Sequence, residues 1–113
     1  MKNEPLRVLQ GTLEMLGLRS VAARGPVHGF EILDWIRRAT DEALVVEDGA
    51  LYPALRRMEK RGWIESAWGI SEKGRRARYY TITSAGAKAL ADQELRWRRY
   101  VEAVAKLSRA TPG

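Results

Sequence analysis

The sequence predicts a mainly α fold with a small β-hairpin, an α+β chain that closes with a long helix. Three observations predict it. Leu6, Leu9, Leu13 and Leu16 recur at spacings of 3, 4 and 3, an apolar stripe of helical period. Two aromatic and β-branched runs, WIESAW from Trp63 and ARYYTI from Ala77, flank a polar loop as hairpin strands do. After them, Leu90, Trp97, Val101, Val104 and Leu107 mark one seam of a helix running to about Ser108.

The elements follow in order. The leucine stripe gives a first helix, ended by Arg24-Gly25-Pro26. Ile32, Leu33 and Ile36 give a second, from about His28 to Ala39, with His28 as its turn or N-cap residue. Asp41 to Asp48 reads as an acidic loop, except that Leu44-Val45-Val46 suits a short strand or a buried turn. In GALYPALRRMEKRGW, Gly49 to Trp63, the apolar positions Leu51, Leu55 and Met58 set a third helix. With Asp48 or Gly49 as N-cap, Pro53 falls in or just beyond the first turn, where helix amides have no partner to lose. Gly62 is the expected stop. The hairpin loop spans Gly69 to Arg76, Trp63 and Trp68 are expected to pack the strands onto the helices, and Thr83 or Ser84 caps the last helix. Arg109 to Gly113 reads as a frayed tail. Three helices, a two-stranded hairpin and a further helix are the order of a winged helix-turn-helix with a long C-terminal dimerisation helix.

Charge locates the working part. The net charge is +6, but residues 1–48 carry −2, residues 49–82 carry +5 and residues 83–113 carry +3. A clustered basic patch suits a polyanion. With Leu51, Leu55 and Met58 inward, steps of about 100° per residue send Pro53, Arg56 and Lys60 outward, flanked by Tyr52 and Arg57. A helix reading a major groove needs such a face, because Arg pairs bidentately with guanine and Lys meets phosphates. The hairpin loop adds Lys73, Arg75 and Arg76, with Arg78 just beyond. Such a wing can track the flanking backbone or enter a minor groove. The expected DNA-binding residues are therefore Tyr52, Pro53, Arg56, Arg57, Lys60, Lys73, Arg75, Arg76 and Arg78. The competing reading, an ordinary solvated face, explains Arg57 or Lys60 singly, but not two basic elements placed where one groove-binding fold needs them.

The run EDGALYPALRRMEKRGWI, then WG, then RRARYYTITSAG, resembles the PadR family of transcriptional regulators. Gly11-Thr12-Leu13 and GPVHGF from Gly25 extend the similarity over nearly the whole chain, and the short C-terminal region is similar to the subgroup with a single helix after the wing. Ala50 departs from the pattern, standing where many members have a serine. The resemblance implies a homodimeric winged-helix repressor on an inverted-repeat operator of double-stranded DNA, often released by a small molecule. It implies DNA contacts at Tyr52, Pro53, Lys73, Arg75 and Arg76, with the recognition helix at about 49–62 in the major groove and the wing at 69–77.

The expected organisation is a DNA-binding unit, 1–82, followed by a dimerisation helix and short tail, 83–113. Leu90, Trp97 and Val104 are spaced by 7, so the last helix wants a partner, expected to be its equivalent in a second subunit with help from Leu9 and Leu13 of the first helix. The same residues could wall a pocket for a small aromatic or apolar effector, with Trp97 offering the stacking face and dimer core its plainer role. The chain has no Cys and one His, and no nucleophile–base pair, carboxylate pair or metal-ligand spacing stands out. Asp41, Glu42, Glu47 and Asp48 read as a solvated acidic loop. No apolar run has the length of a membrane span. No enzyme activity, cofactor, metal or membrane partner is expected, and the expected location is cytoplasmic. The alternative function is a winged module for protein contacts or non-specific nucleic-acid binding.

Overall fold

The structure, a computed structural model, describes residues 4–110. Of the expected frayed tail, residues 111–113 lie outside the described residues, while Arg109 still belongs to a helix.

The elements are β1 (Leu6–Arg7), α1 (Leu13–Arg24), α2 (Gly29–Ala39), β2 (Leu44–Val45), α3 (Asp48–Lys60), β3 (Ile64–Ile70), β4 (Arg76–Ile82) and α4 (Ser84–Arg109). Helix α1 is shorter than the leucine stripe. Gly11 takes φ +89°, outside helical space, and Leu6–Arg7 pairs in parallel with Leu44–Val45. The Leu6 amide donates to the Ala43 carbonyl at 2.6 Å. The leucine period therefore spans a strand, a turn and the first turn of a helix. Helix α2 begins on a reciprocal cap. The Glu31 amide donates to His28 Nδ1 at 3.4 Å, and the His28 amide donates to the Glu31 carboxylate at 3.2 Å.

The N-cap of helix α3 is Glu47, one residue before the expected Asp48 or Gly49, and Asp48 is already helical. Pro53 is thus its sixth residue, in the second turn. Lacking an N–H, it leaves the Gly49 carbonyl without its helical partner, and Gly49 is exposed to water that can serve instead. The helix ends in a Schellman motif. Gly62 takes φ +78°, its amide donates to the Glu59 carbonyl at 3.0 Å, and the Trp63 amide donates to the Met58 carbonyl at 3.0 Å.

Strands β3 and β4 pair antiparallel from Ile64 opposite Ile82 to Ile70 opposite Arg76. Val27 bridges the other edge of β4 at Tyr80, so the hairpin is tied to the turn before α2. The core gathers Leu18 and Val21 of α1, Ile32 of α2, Leu51, Leu55 and Met58 of α3, and Ile64 of β3. Leu90 joins it at 4% exposure. That corrects its assignment to the seam between chains. The start of α4 runs so close to Trp63 that a Cβ at Gly86 would lie 1.9 Å from the Trp63 carbonyl oxygen, and this approach turns Leu90 inward. Thr83 fixes the same approach. Its hydroxyl accepts from the Gly86 amide at 3.0 Å and donates to the Gly62 carbonyl at 2.6 Å.

Candidate nucleic-acid interface

The three inward residues of α3 are nearly sealed from solvent, which turns Tyr52, Arg56 and Lys60 to the surface. Tyr52 is held by α2. A Cβ on Gly29 would come within 2.7 Å of its ring and hydroxyl, so the glycine at the start of α2 leaves room for the Tyr52 ring in this position. The hairpin faces the same side. Its tip is a three-residue loop closed by the Ser71 amide donating to the Arg75 carbonyl at 2.8 Å, with Gly74 at φ +75°. That glycine allows the tight reversal which presents Lys73, Arg75 and Arg76 at the end of a stiff ribbon.

Between α3 and the wing lies a groove of about 1080 Å³. Tyr52 and Arg56 line one wall, and Lys73, Arg75, Arg76 and Arg78 line the other. Six of the nine residues expected to bind DNA are thus brought to one concavity. Pro53, Arg57 and Lys60 lie outside its lining. Arg57 is turned away for a definite reason. Glu14 of α1 accepts from Arg57 Nε at 3.1 Å and from Arg61 Nη1 at 2.7 Å, so one carboxylate holds Arg57 of the last turn of α3 and Arg61 at its C-cap against α1. Arg78 is also engaged within the chain. Its Nε donates to Ser66 Oγ at 3.0 Å, and Ser66 donates to the Glu59 carboxylate at 2.6 Å. Arg56 has no carboxylate partner among the described residues. At the floor of the groove, burial pushes the Tyr80 hydroxyl above its ordinary pKa, although the Arg78 cation pulls the other way.

Two exposed aromatic residues of the groove were not singled out for it by the sequence. Phe30 is exposed at the start of α2, and Trp68 is 58% exposed on β3. Trp68 corrects an expectation, since it does not pack the hairpin onto the helices. It sits opposite Arg78 in register, with the Arg76 and Arg78 guanidinium carbons 4.5 and 5.4 Å from its ring centroid. Alternation alone puts Trp68 on the same face as Ile64, so what takes it out of the core is its distance along the strand. Ile64 is buried, and the strand's later residues extend past the helices into the free ribbon. Trp63, by contrast, does pack against the core.

A second concavity of about 650 Å³ lies between the turn before α1 and the middle of α4. Leu9, Met15, Gln93, Arg96, Trp97 and Tyr100 line it. Trp97 and Tyr100 stack with centroids 6.2 Å apart and planes 24° apart. Leu13 and Trp97 pack against the core, while Leu9, Tyr100, Val101, Val104 and Leu107 are exposed. Among the described residues no cluster of His, Asp and Glu could hold a metal ion, and no helix is long and apolar enough to cross a membrane.

Residues 18–92 match the model of the PadR-like family of transcriptional regulators. Solved structures agree in fold over most of the chain. A transcriptional regulator from Clostridium thermocellum is 33% identical, with 86% of this chain and 90% of that one covered, at a TM-score of 0.76. A PadR family transcriptional regulator from Eggerthella lenta is 29% identical, with 90% and 86% covered, at 0.74. A PadR-like transcriptional regulator from Bacillus cereus is 28% identical, with 91% and 97% covered, at 0.75.

Proposed function

The chain belongs to the PadR-like family of transcriptional regulators, and from that premise we propose that it is a homodimeric repressor that binds an inverted-repeat operator. The observation that carries this reading is the groove that joins Tyr52 and Arg56 of α3 to Lys73, Arg75 and Arg76 of the wing. Helix α3 lies in the major groove, where Arg56 reads a base edge. The wing lies on the flanking backbone or in the minor groove, where its cations displace counterions. Dimerisation supplies the second half-site. The outer half of α4 has Tyr100, Val101, Val104 and Leu107 open to solvent, a stripe suited to the same helix of another copy. In that dimer residues 1–82 carry the DNA contacts, and residues 83–113, apart from the core residue Leu90, carry the contacts between subunits. The concavity under Trp97 and Tyr100 would then be roofed by the partner and offers a stacking site to a small aromatic or apolar effector. Action on DNA places the protein in the cytoplasm.

The test is selection of duplexes from a randomised library by the purified protein at physiological salt. Enrichment of an inverted repeat with half-sites about 34 Å, one helical turn, apart supports the reading. Retention with no enriched motif, lost as salt rises, would leave a non-specific nucleic-acid binder. No retention at all would leave a module for protein contacts. Repression is tested separately, by a reporter placed behind the enriched sequence.

A further inference from the structure

Past the end of the core, the wing carries an indole that folding does not account for. Trp68 is 58% exposed, while its strand neighbour Ile64 is sealed in the core. Pairing in register puts Trp68 and Arg78 side by side on one face of the hairpin, followed by Ile70 and Arg76. That face turns toward α3 and lines the groove that holds Tyr52 and Arg56. The indole is held in place. Arg76 and Arg78 both lie over the ring, at 4.5 and 5.4 Å from its centroid. Arg78 is in turn anchored to the helix. Its Nε donates to Ser66 Oγ at 3.0 Å, Ser66 donates to Glu59 Oε2 at 2.6 Å, and Arg78 Nη2 lies 3.6 Å from the same carboxylate. Its charge is thus compensated inside the protein, and its geometry ties the wing to the last turns of α3.

We infer that Trp68 is a DNA-contacting residue whose indole packs on the deoxyribose–phosphate backbone beside the groove read by Arg56, and that Arg78 is its positioning residue. The inference rests on the DNA-binding reading above. The chemistry is complementary on both counts. Deoxyribose presents C–H groups to the apolar ring, and the indole N–H is a donor for a phosphate oxygen. The cation of Arg76, beside the ring, meets the adjacent phosphate. A backbone contact carries no base information, so Trp68 adds affinity to every sequence rather than preference for one.

The probes are two 30-bp duplexes, the most enriched member of the randomised library and one of scrambled sequence. Affinity is measured over a salt series for the wild type, Trp68→Ala, Arg78→Ala and the double variant, with thermal unfolding as the check on folding. Trp68→Ala should weaken both duplexes about tenfold, the equivalent of roughly 60 Å² of apolar surface left in water. The dependence of log affinity on log salt should keep its slope, because no phosphate charge is lost. Arg78→Ala should weaken binding to a similar extent with the slope unchanged, and should add nothing to Trp68→Ala. Indole emission should change when duplex is added to the wild type, and most of that change should vanish in Trp68→Phe. Wild-type affinity in Trp68→Ala would overturn the contact. A slope that falls along with affinity would also overturn it, since the ring would then only be placing Arg76. A slope lowered by about 1 in Arg78→Ala would make Arg78 a phosphate ligand and overturn its positioning role. If the wild type binds neither duplex, the DNA-binding reading fails and this inference fails with it; if the wild type binds and the variants behave like it, only the inference fails.

Discussion

The arginines of this chain are divided by what already holds them. Arg57 and Arg61 share Glu14, Arg78 is bonded to Ser66 beside Glu59, and Arg56 has no carboxylate partner among the described residues. A guanidinium with its fork occupied must break those bonds before it can meet a base, so base readout falls to Arg56. Arg56→Ala should lose about 1–3 kcal/mol of discrimination at one position of each half-site, read as affinity for the enriched duplex against single-base variants. Arg75→Ala, at the wing tip, should weaken all duplexes evenly and lower the salt slope by about 1. Unchanged preference in Arg56→Ala would mean that another side chain of α3 reads the base.

At the scale of the element, backbone geometry decides how wing and helix meet. Gly62 holds the left-handed conformation that turns the chain from α3 into β3, and nothing occupies the space where its Cβ would be. Gly62→Ala should therefore cost only the conformational strain, about 1 kcal/mol in chemical denaturation, with DNA affinity per folded molecule kept. Gly86 is the opposite case. Its φ is unexceptional, but a Cβ would lie 1.9 Å from the Trp63 carbonyl, a fixed backbone atom. Gly86→Ala should separate α4 from the hairpin base and cost several times more than Gly62→Ala, measured in the same titration. Equal costs would mean that α4 can move off Trp63 cheaply.

For the whole molecule, α4 sets the shape. The Cα radius of gyration is 16.1 Å, against about 13 Å for a compact chain of this length. A helix of 26 residues is about 39 Å long, and only its first half lies on the core. Leu90→Ala should act on folding, with a loss of about 2–5 kcal/mol. Val104→Glu, on the exposed half, should leave the fold intact and shift sedimentation from dimer to monomer, and the full inverted repeat should lose its affinity advantage over a single half-site. A dimer that persists in Val104→Glu would place the interface elsewhere. Helix α4 is also clasped to α1 by a two-pronged pair in which Arg19 Nε donates to Glu94 at 2.8 Å. The hydrogen bond from Arg19, chiefly, holds the Glu94 carboxyl below its ordinary value of 4.5, against the opposing effect of partial burial. A lowered folded-state pKa means stability that is present above the unfolded value and lost as pH falls through the folded one. Glu94→Gln should thus be less stable than wild type at pH 7, by under about 1 kcal/mol for so exposed a pair, and the gap should close as pH drops below about 4.

Local pattern determined the identity and order of the main elements. Helical spacing in α2 and α3, the stop at Gly62, the caps at His28 and Thr83, and the aromatic and β-branched runs of β3 and β4 are all properties of neighbours in sequence, and each has a physical signature within a few residues. The orientation of α3 was legible for the same reason, because burial of Leu51, Leu55 and Met58 fixes where Tyr52 and Arg56 point. Three matters needed the tertiary structure. Leu6 and Leu9 share a helical period with Leu13, yet β1 pairs with β2, a segment nearly forty residues away. Leu90 and Val104 share one seam, yet the close approach of Gly86 to Trp63 puts the first inside the core and leaves the second outside. Arg56, Arg57 and Arg78 look alike in sequence, yet Glu14 and Glu59 claim two of them. A period reports which face of an element is apolar. What that face, or a charge on it, meets is settled by residues distant in the chain, and only folding brings those together.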